Sequence, residues 1–522
     1  MFSSVTSGAV HGIIPYMMQV EVDTGAGLPG FSMVGYMSGE VREAGERARV
    51  ALKNSGFKLP AQKITVNLAP ADIRKEGIAV DLPLAIGILL STGNLPESSI
   101  ENTVIIGELG LDGEVKKIQG VLPIVSKAKE AGYKTCILPK QNAREGAAIS
   151  GMKIIGVETL SEAIFYLSAD KKDRDNIIEP TKVDLKEIFE KSYDYETGID
   201  FADINGQSAV KRAVEIAAAG FHHILLVGPP GSGKSMIAKR IPTILPPLSE
   251  EESIEVSTIY SVAGMLGNDE VLMTKRPFMS PHHTITESAL AGGGRIPRPG
   301  VISLSHRGVL FLDEMAEFSR PTLDLLRQPL EDKKVNIART NGTFTYPADM
   351  MVVGAMNPCP CGYYPDMNRC KCKENDIRRY LSHLSGPILD RIDISIEAPK
   401  VDVTELSGGN SLNESSKVIR SRVMKARAIQ AERFKGTSLR FNADMGPSDI
   451  AKYCQLGITE KRLMEQIFHT MDLSARTYHR VLKVARTIAD LDGSRHIQDI
   501  HITEAACYRM TDSKYWGRNK DE

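Results

Sequence analysis

Hydrophobic positions along the chain change from a two-residue to a helical period several times. Between Phe2 and about Leu167, β-type runs such as Ile64-Thr65-Val66-Asn67-Leu68 and Thr135-Cys136-Ile137-Leu138 alternate with helical stretches such as Val41 to Asn54, which stops near Gly56. This predicts an α/β or α+β domain over residues 1–168. The most apolar stretch, Ile78 to Leu95, contains Asp81, Pro83 and two glycines. It falls short of the roughly 18–20 uninterrupted apolar residues a membrane span needs and reads as buried core. Ser168 to Asn176 is charged and rich in turn residues, so residues 169–192 read as a solvated linker that buries nothing. The next block, 193–404, opens with a helix over Gln207 to Ala219, enters the apolar strand Ile224-Leu225-Leu226-Val227, and alternates strand and helix to about Pro399. That order predicts a largely parallel sheet. Around Ser407 to Ser411 the chain turns polar and glycine-rich; beyond it the period is helical, clearest from Leu473 to Leu491, so 405–522 reads as a helical domain.

A chain of 522 residues has room for three or four domains at about 150 residues each. Lysine and arginine total 64 against 65 acidic residues, a net charge of −1, which excludes a histone-like binder. Contact with nucleic acid would need a local basic patch or a central pore. No lysine or arginine precedes Arg42, so the chain lacks the basic start of a secretory signal. Seven cysteines, four of them between Cys359 and Cys372, suit a metal site or reduced thiols and hence a cytoplasmic location.

The chemistry concentrates in the middle block. Gly228-Pro229-Pro230-Gly231-Ser232-Gly233-Lys234-Ser235 satisfies G-x-x-x-x-G-K-[ST] between an apolar strand and a helix, the context the motif requires. The glycines let backbone N–H groups close around phosphates, Lys234 supplies charge to the β and γ oxygens, and the Ser235 hydroxyl can ligate Mg²⁺. Val309-Leu310-Phe311-Leu312 reads as a second buried strand. It ends in Asp313-Glu314, a Walker B pair at the edge where open α/β sheets bind ligands. Asp313 would hold the metal through water, and Glu314 would orient or deprotonate the attacking water. A third strand, Met351 to Met356, delivers Asn357, whose amide suits sensor 1. ATP and Mg²⁺ are the cofactors these residues imply.

Val335 to Met351 reads as a hairpin turning at Asn341-Gly342, with Lys333, Lys334 and Arg339 alongside. These cations either face a pore or line a solvated face. Cys359, Cys361, Cys370 and Cys372 offer four thiolates, enough for a closed, structural Zn²⁺ site, with free thiols packing a loop as the alternative. Arg369, Lys371, Lys373 and Arg378 nearby would touch phosphates or lie on the surface. The pairs His222-His223 and His282-His283 would point apart on a strand, without carboxylate partners, and read as structural. Cys136, Cys454 and Cys507, among apolar neighbours, read as buried thiols.

Four segments together resemble the magnesium-chelatase-like YifB/ComM family of AAA+ ATPases, within the helix-2-insert group: Gly228 to Ser235, His306 to Glu314, Asn357 to Gly362, and Ser385 to Asp393. The resemblance implies a central AAA+ parallel-sheet domain and a C-terminal helical lid. It also implies an N-terminal Lon-protease-like (S5-like) α/β domain, carried by Gly107 to Val115 and Ala131 to Pro139. It nominates Arg391 as an arginine finger reaching a neighbouring subunit and Arg476 as sensor 2, with Arg480 and Arg486 as surface helix arginines. Aligning Lys75 to Ala79 with the Lon serine motif puts Ala79 at the nucleophile position, and Leu122 falls where its lysine would be, so proteolysis is not expected. The implied function is a hexameric, ATP-driven ring acting on single-stranded or branched DNA, a helicase promoting branch migration in natural transformation and recombination, with no membrane partner. A chelatase-type motor subunit, or a remodelling factor or adaptor with a protein partner, is the alternative.

Overall fold

The computed structural model describes residues 1–522 apart from 72–74, 76–78, 193–197, 268–269, 295–296, 340–341, 401–412 and 517–522. The 404/405 boundary, the Ser407 to Ser411 stretch and Asn341 therefore lie outside the described residues. In the first lobe Phe2–His11 and Ile14–Gly25 form a hairpin, Lys63–Ala69 pairs antiparallel with the second strand, and Gly30–Val34 completes the sheet in parallel. Alternation along these strands turns Val5, Val20, Val22, Ile64, Val66 and Leu68 into one core. They pack with the fully buried helix Asp81–Ser91, the apolar run read as core. Asp81 is accommodated there because Arg47 donates to its carboxylate at 2.6 and 2.9 Å and the Leu109 N–H at 3.2 Å. A three-stranded parallel sheet, Thr103–Ile105, Thr135–Pro139 and Lys153–Val157, completes the lobe.

The middle lobe is built on a five-stranded parallel sheet in the order Phe278–Met279, Val309–Leu312, Met351–Met356, Ile224–Val227, Ile394–Glu397. Every residue of its three central strands is buried, as expected when both faces of a parallel sheet are covered. Helix Ser208–Gly220 and the C-terminal helices, among them Ser416–Arg433 and Ala475–Leu491, share a core with this sheet. His222 ties the layers together: Nδ1 lies 2.9 Å from Asp393 Oδ2 and Nε2 2.8 Å from Thr487 Oγ1. It is structural, though with a carboxylate partner that the spacing did not suggest.

The segment read as a solvated connector is not one. Arg174 is buried and donates to the carbonyls of Ala169, Ser99 and Leu167 at 3.2, 2.8 and 2.8 Å, because a guanidinium can satisfy several carbonyls while its stem stays apolar. Leu185, Ile188 and Phe189 from helix Leu185–Ser192 pack into a core that also takes Leu122 and Ile124 from the first lobe and Val271 and Leu272 from the middle lobe. Ala79 packs against that same core, so both expected dyad positions lie among apolar side chains. Cys136 and Cys454 are buried, but Cys507 is exposed.

Glu145 fastens the two lobes. It is buried and accepts from the Leu122 N–H at 3.0 Å, Asn142 Nδ2 at 2.9 Å and, across the lobes, Ser261 Oγ at 2.5 Å. Glu145→Ala strands these donors and should cost about 2–4 kcal/mol. The expected result is a thermal midpoint several degrees lower, and a midpoint equal to that of the parent contradicts the bracing role.

Candidate nucleotide site

The phosphate loop occupies the tip of strand Ile224–Val227, next to the central strand Met351–Met356, and its glycines are there for space and backbone angle. A Cβ on Gly228 would lie 2.2 Å from the Ala398 carbonyl oxygen, and Gly231 and Gly233 hold φ of +74° and +81°. Helix Lys234–Ile244 begins as the loop ends. The Lys234 ammonium donates to the Gly228 and Pro229 carbonyls at 2.7 and 2.9 Å and to Asn357 Oδ1 at 3.3 Å. Ser235 Oγ donates to Asp313 Oδ2 at 2.7 Å, and the Glu314 N–H donates to Asp313 Oδ1 at 3.0 Å. Glu314 itself holds a left-handed backbone, φ 49°. Lys234, Ser235, Asp313, Glu314 and Asn357 thus line one cleft of about 370 Å³ with Pro230, Gly231, Ser232 and Gly233. Burial pushes the Lys234 ammonium down to about 8, against the opposing pull of Asp313 and Glu314.

An adjoining cleft of about 460 Å³ is lined by Asp203, Ile204, Asn205, Gln207, Met236 and Lys400 with the phosphate loop. Gln207 is 8% exposed and donates to the carbonyls of Ser232 and, at 3.0 Å, Pro399, while its Oε1 has no hydrogen-bond partner. A buried orphan acceptor beside a phosphate loop fits the exocyclic amine of a purine base. The oxygen donors of Ser235 and Asp313 fit a hard divalent cation such as Mg²⁺. These base-side residues escaped the motif reading; the only signal was a polar, glycine-containing turn, Asp203 to Gln207, just before a helix.

The four cysteines converge. Cys359 Sγ lies 3.4 and 3.7 Å from those of Cys361 and Cys370, Cys361 lies 3.6 Å from Cys370, and all four sulfurs including that of Cys372 fall within 4.8 Å of one another. Desolvation works against ionisation of Cys361, but the backbone groups of Tyr363 and Lys371 bring its thiol down to about 6. This knuckle leans on the phosphate loop: a Cβ on Gly362, φ +83°, would lie 2.3 Å from Pro230 Cδ. Arg369 and Arg378 are exposed and lie within ion-pair distance of Asp366 and Glu374.

Arg391 and Arg476 are not among the residues lining either cleft. Arg391 pairs with Glu331 and donates to the Pro387 carbonyl, while Arg476, 70% exposed, lies 3.5 Å from Asp390. Arg480 and Arg486, read as surface arginines, are both buried. Arg480 donates to the Leu389 carbonyl at 3.3 Å, a partner 91 positions away that helix periodicity does not reveal, while Arg486 pairs with Asp490 at 3.0 Å one turn along the same helix. Lys334–Arg339 and Gly342–Pro347 form the expected hairpin with Lys334 and Arg339 exposed, but Lys333 is tied to Asp444 and Asp349. His282 and His283 do not point apart. Their rings lie face to face at a tilt of 35° with centroids 4.1 Å apart, because the chain has left strand Phe278–Met279 before reaching them, and His283 Nδ1 lies 3.7 Å from Glu314 Oε2.

Comparison with known proteins gives the lineage. Family models described as magnesium chelatase, subunit ChlI, match residues 200–406, those of the ChlI subunit of Mg-chelatase residues 20–142, and those of the ChlI C-terminal region residues 413–509. The competence protein ComM of Haemophilus influenzae is 40% identical over 97% of both chains. The chain belongs to the ComM/YifB family of magnesium-chelatase-like AAA+ proteins. YifB of Escherichia coli, at 40% identity over 98% of this chain and 97% of its own, is a second full-length relative. A local likeness to Lon protease 2 of Bacillus subtilis, 34% over 23% of this chain and 21% of that one, accords with a Lon-like first lobe. No described helix of this ComM/YifB member is long and apolar enough to cross a membrane.

Phosphate binding favours the charged form of Lys234, whose ammonium titrates at about 8 in the free protein. The lysine is therefore protonated below that value and loses its charge as pH rises through it. Dissociation constants for ATP measured by calorimetry should weaken about tenfold from pH 7 to pH 9. A constant that stays flat over this range contradicts the role of Lys234.

Proposed function

We propose that this ComM/YifB protein is a cytoplasmic Mg²⁺-dependent ATP hydrolase that works as a ring, a hexamer, on single-stranded or branched DNA, a helicase promoting branch migration during natural transformation and homologous recombination. The observation that carries the hydrolase reading is the convergence of Lys234, Ser235, Asp313, Glu314 and Asn357 in one cleft. The phosphate-loop N–H groups and Lys234 bind and orient the triphosphate, and Ser235 and Asp313 hold the metal, which neutralises charge on the phosphates. Glu314 accepts the proton of the attacking water, and Asn357 keeps that water in line.

Ring assembly is supported by the position of Arg391. It stands outside its own cleft, beside Asp390, Arg480 and Lys333, where a neighbouring copy could receive it. Arg476, exposed on the same side, serves as sensor 2 at that interface. DNA as substrate is supported by the exposed Lys334 and Arg339 of the hairpin and by the name of the relative ComM, a competence protein. The knuckle suits structural Zn²⁺. Tetrahedral Zn–S bonds of about 2.3 Å require sulfur separations of roughly 3.8 Å, close to the 3.4–3.7 Å measured for three of the pairs. A second reading, a chelatase-type motor with a protein partner, is supported by the family description.

ATP turnover with and without single-stranded and branched DNA separates the two: stimulation by DNA favours the helicase, while turnover indifferent to DNA favours the chelatase-type motor. Glu314→Gln should bind ATP normally and lose turnover. Arg391→Ala should lose about 10³–10⁵ in rate, and mixing it with Glu314→Gln should restore part of the activity at interfaces where one chain supplies Glu314 and the other Arg391. Two inactive chains that stay inactive together contradict the shared site. Metal analysis should find one zinc per chain, absent from a Cys361→Ser, Cys370→Ser variant; zinc-free parent protein contradicts the knuckle assignment.

A further inference from the structure

The cysteine knuckle braces the phosphate loop, yet its outer loop carries charge that a brace does not need. Eight residues separate Cys361 from Cys370, and Met367, near the middle of that loop, is 71% exposed. Arg369 and Arg378 are held by acids of the same segment, Asp366 at 3.7 Å and Glu374 at 2.7 Å. Lys371 and Lys373 are exposed and pair with no acid among the described residues. Two uncompensated ammonium groups on one short loop suit an anionic partner from outside the chain. The knuckle also stands at the rim of both nucleotide clefts. Gly362 abuts Pro230, which lines the two of them, and Tyr363 lies under Lys400, which lines the base-side cleft.

Arg391, outside its own cleft, is latched where it stands. Glu331, 58% exposed, holds its guanidinium, the Pro387 carbonyl accepts from Nη1 at 2.5 Å, and Nε is buried without a partner. A guanidinium that enters a neighbour's cleft has to part from Glu331, and a carboxylate left without its cation opposes that move. Wherever Arg391 reaches the phosphates of the next copy, Glu331 arrives with it at the rim of that cleft, where the next copy's knuckle stands. The two surfaces that meet there are of opposite charge.

From this complementarity we propose that the knuckle loop is a docking surface for a second copy of this chain: Lys371 and Lys373 of one copy take Glu331 of the neighbouring copy, and the exchange frees the neighbour's Arg391 to enter the first copy's cleft. One ion pair opens as another forms, so the arginine is released without leaving a bare carboxylate behind. A chain on its own keeps Arg391 on Glu331, which confines fast hydrolysis to the assembled ring. The inference rests on the reading of Arg391 as a residue shared between copies; it needs neither zinc in the knuckle nor DNA at the hairpin.

The test is charge reversal in the full chain, read by sedimentation velocity with a non-hydrolysable ATP analogue and by steady-state ATP turnover. Glu331→Lys alone, and Lys371→Glu with Lys373→Glu alone, should each lower ring formation and kcat at least about tenfold, because like charges then face each other at every interface. Mixed in equal amounts, the two chains should alternate around the ring, pair opposite charges at every interface and recover most of the parent turnover. Either variant assembling and turning over like the parent, or a mixture as inactive as its components, would overturn the inference. Mixing Arg391→Ala with Glu314→Gln separates the two readings: activity regained there, while the charge-reversed chains behave like the parent, leaves Arg391 shared and removes the knuckle as its dock. Parent protein that stays monomeric with nucleotide and DNA would defeat the shared Arg391 and this inference with it.

Discussion

Three neighbouring parallel strands end at one edge of a buried sheet, and the candidate chemistry follows from that register. Val227 pairs with Met356, and Leu312 pairs with Gly354 on the same central strand. The next residues along the three strands are Gly228, Asp313 and Asn357, with Gly228 level with Asn357 and Asp313 two positions behind it at the same edge. Backbone bonds from Gly228 N–H to the Met356 carbonyl at 3.1 Å and from Ala398 N–H to the Val227 carbonyl at 2.8 Å fix the loop against its neighbours. Since phosphoryl transfer is catalysed mainly by position and charge, this shared edge is the main device the fold supplies.

The rest of the molecule braces that edge from several sides. The cysteine knuckle leaves no space between Gly362 and Pro230, and Tyr363 stacks beneath the Lys400 ammonium, 5.4 Å from its ring centroid, at the base-side cleft. Behind the sheet, His222 joins Asp393 to a C-terminal helix through Thr487. The first lobe is held by Glu145 to Ser261 and by the His11 ring, whose centroid lies 4.4 Å from that of Phe344 on the basic hairpin. A lobe whose dyad positions hold alanine and leucine thus contacts the same hairpin that carries Lys334 and Arg339.

What was legible in the sequence was local. The phosphate loop, the Asp313-Glu314 strand end and Asn357 each announce themselves within a few residues, since an apolar run followed by glycine or acid states both the strand and its tip. The same held for the parallel sheet and the helical C-terminal region. What escaped depends on partners far along the chain. Arg174 looked solvated because its carbonyl acceptors include Ser99, Arg480 looked superficial because Leu389 stands 91 positions away, and Lys333 looked free because Asp444 belongs to another lobe. Gln207 was invisible because a lone polar residue before a helix becomes a base-side group only when the sheet brings Ser232 and Pro399 to it. His283 was misplaced because the strand preceding it is two residues long, too short for alternation to govern its direction.

The central claim is that ATP hydrolysis at the strand edge is spent on moving DNA past the basic hairpin. Its most direct test is the displacement of a labelled strand from a three-stranded branched DNA by the full chain. The parent should displace the strand only with ATP and Mg²⁺, and a chain carrying Lys334→Glu with Arg339→Glu should hydrolyse ATP without DNA at the parent rate yet displace nothing. Full ATP turnover by the parent with no strand movement on any branched DNA would contradict the account.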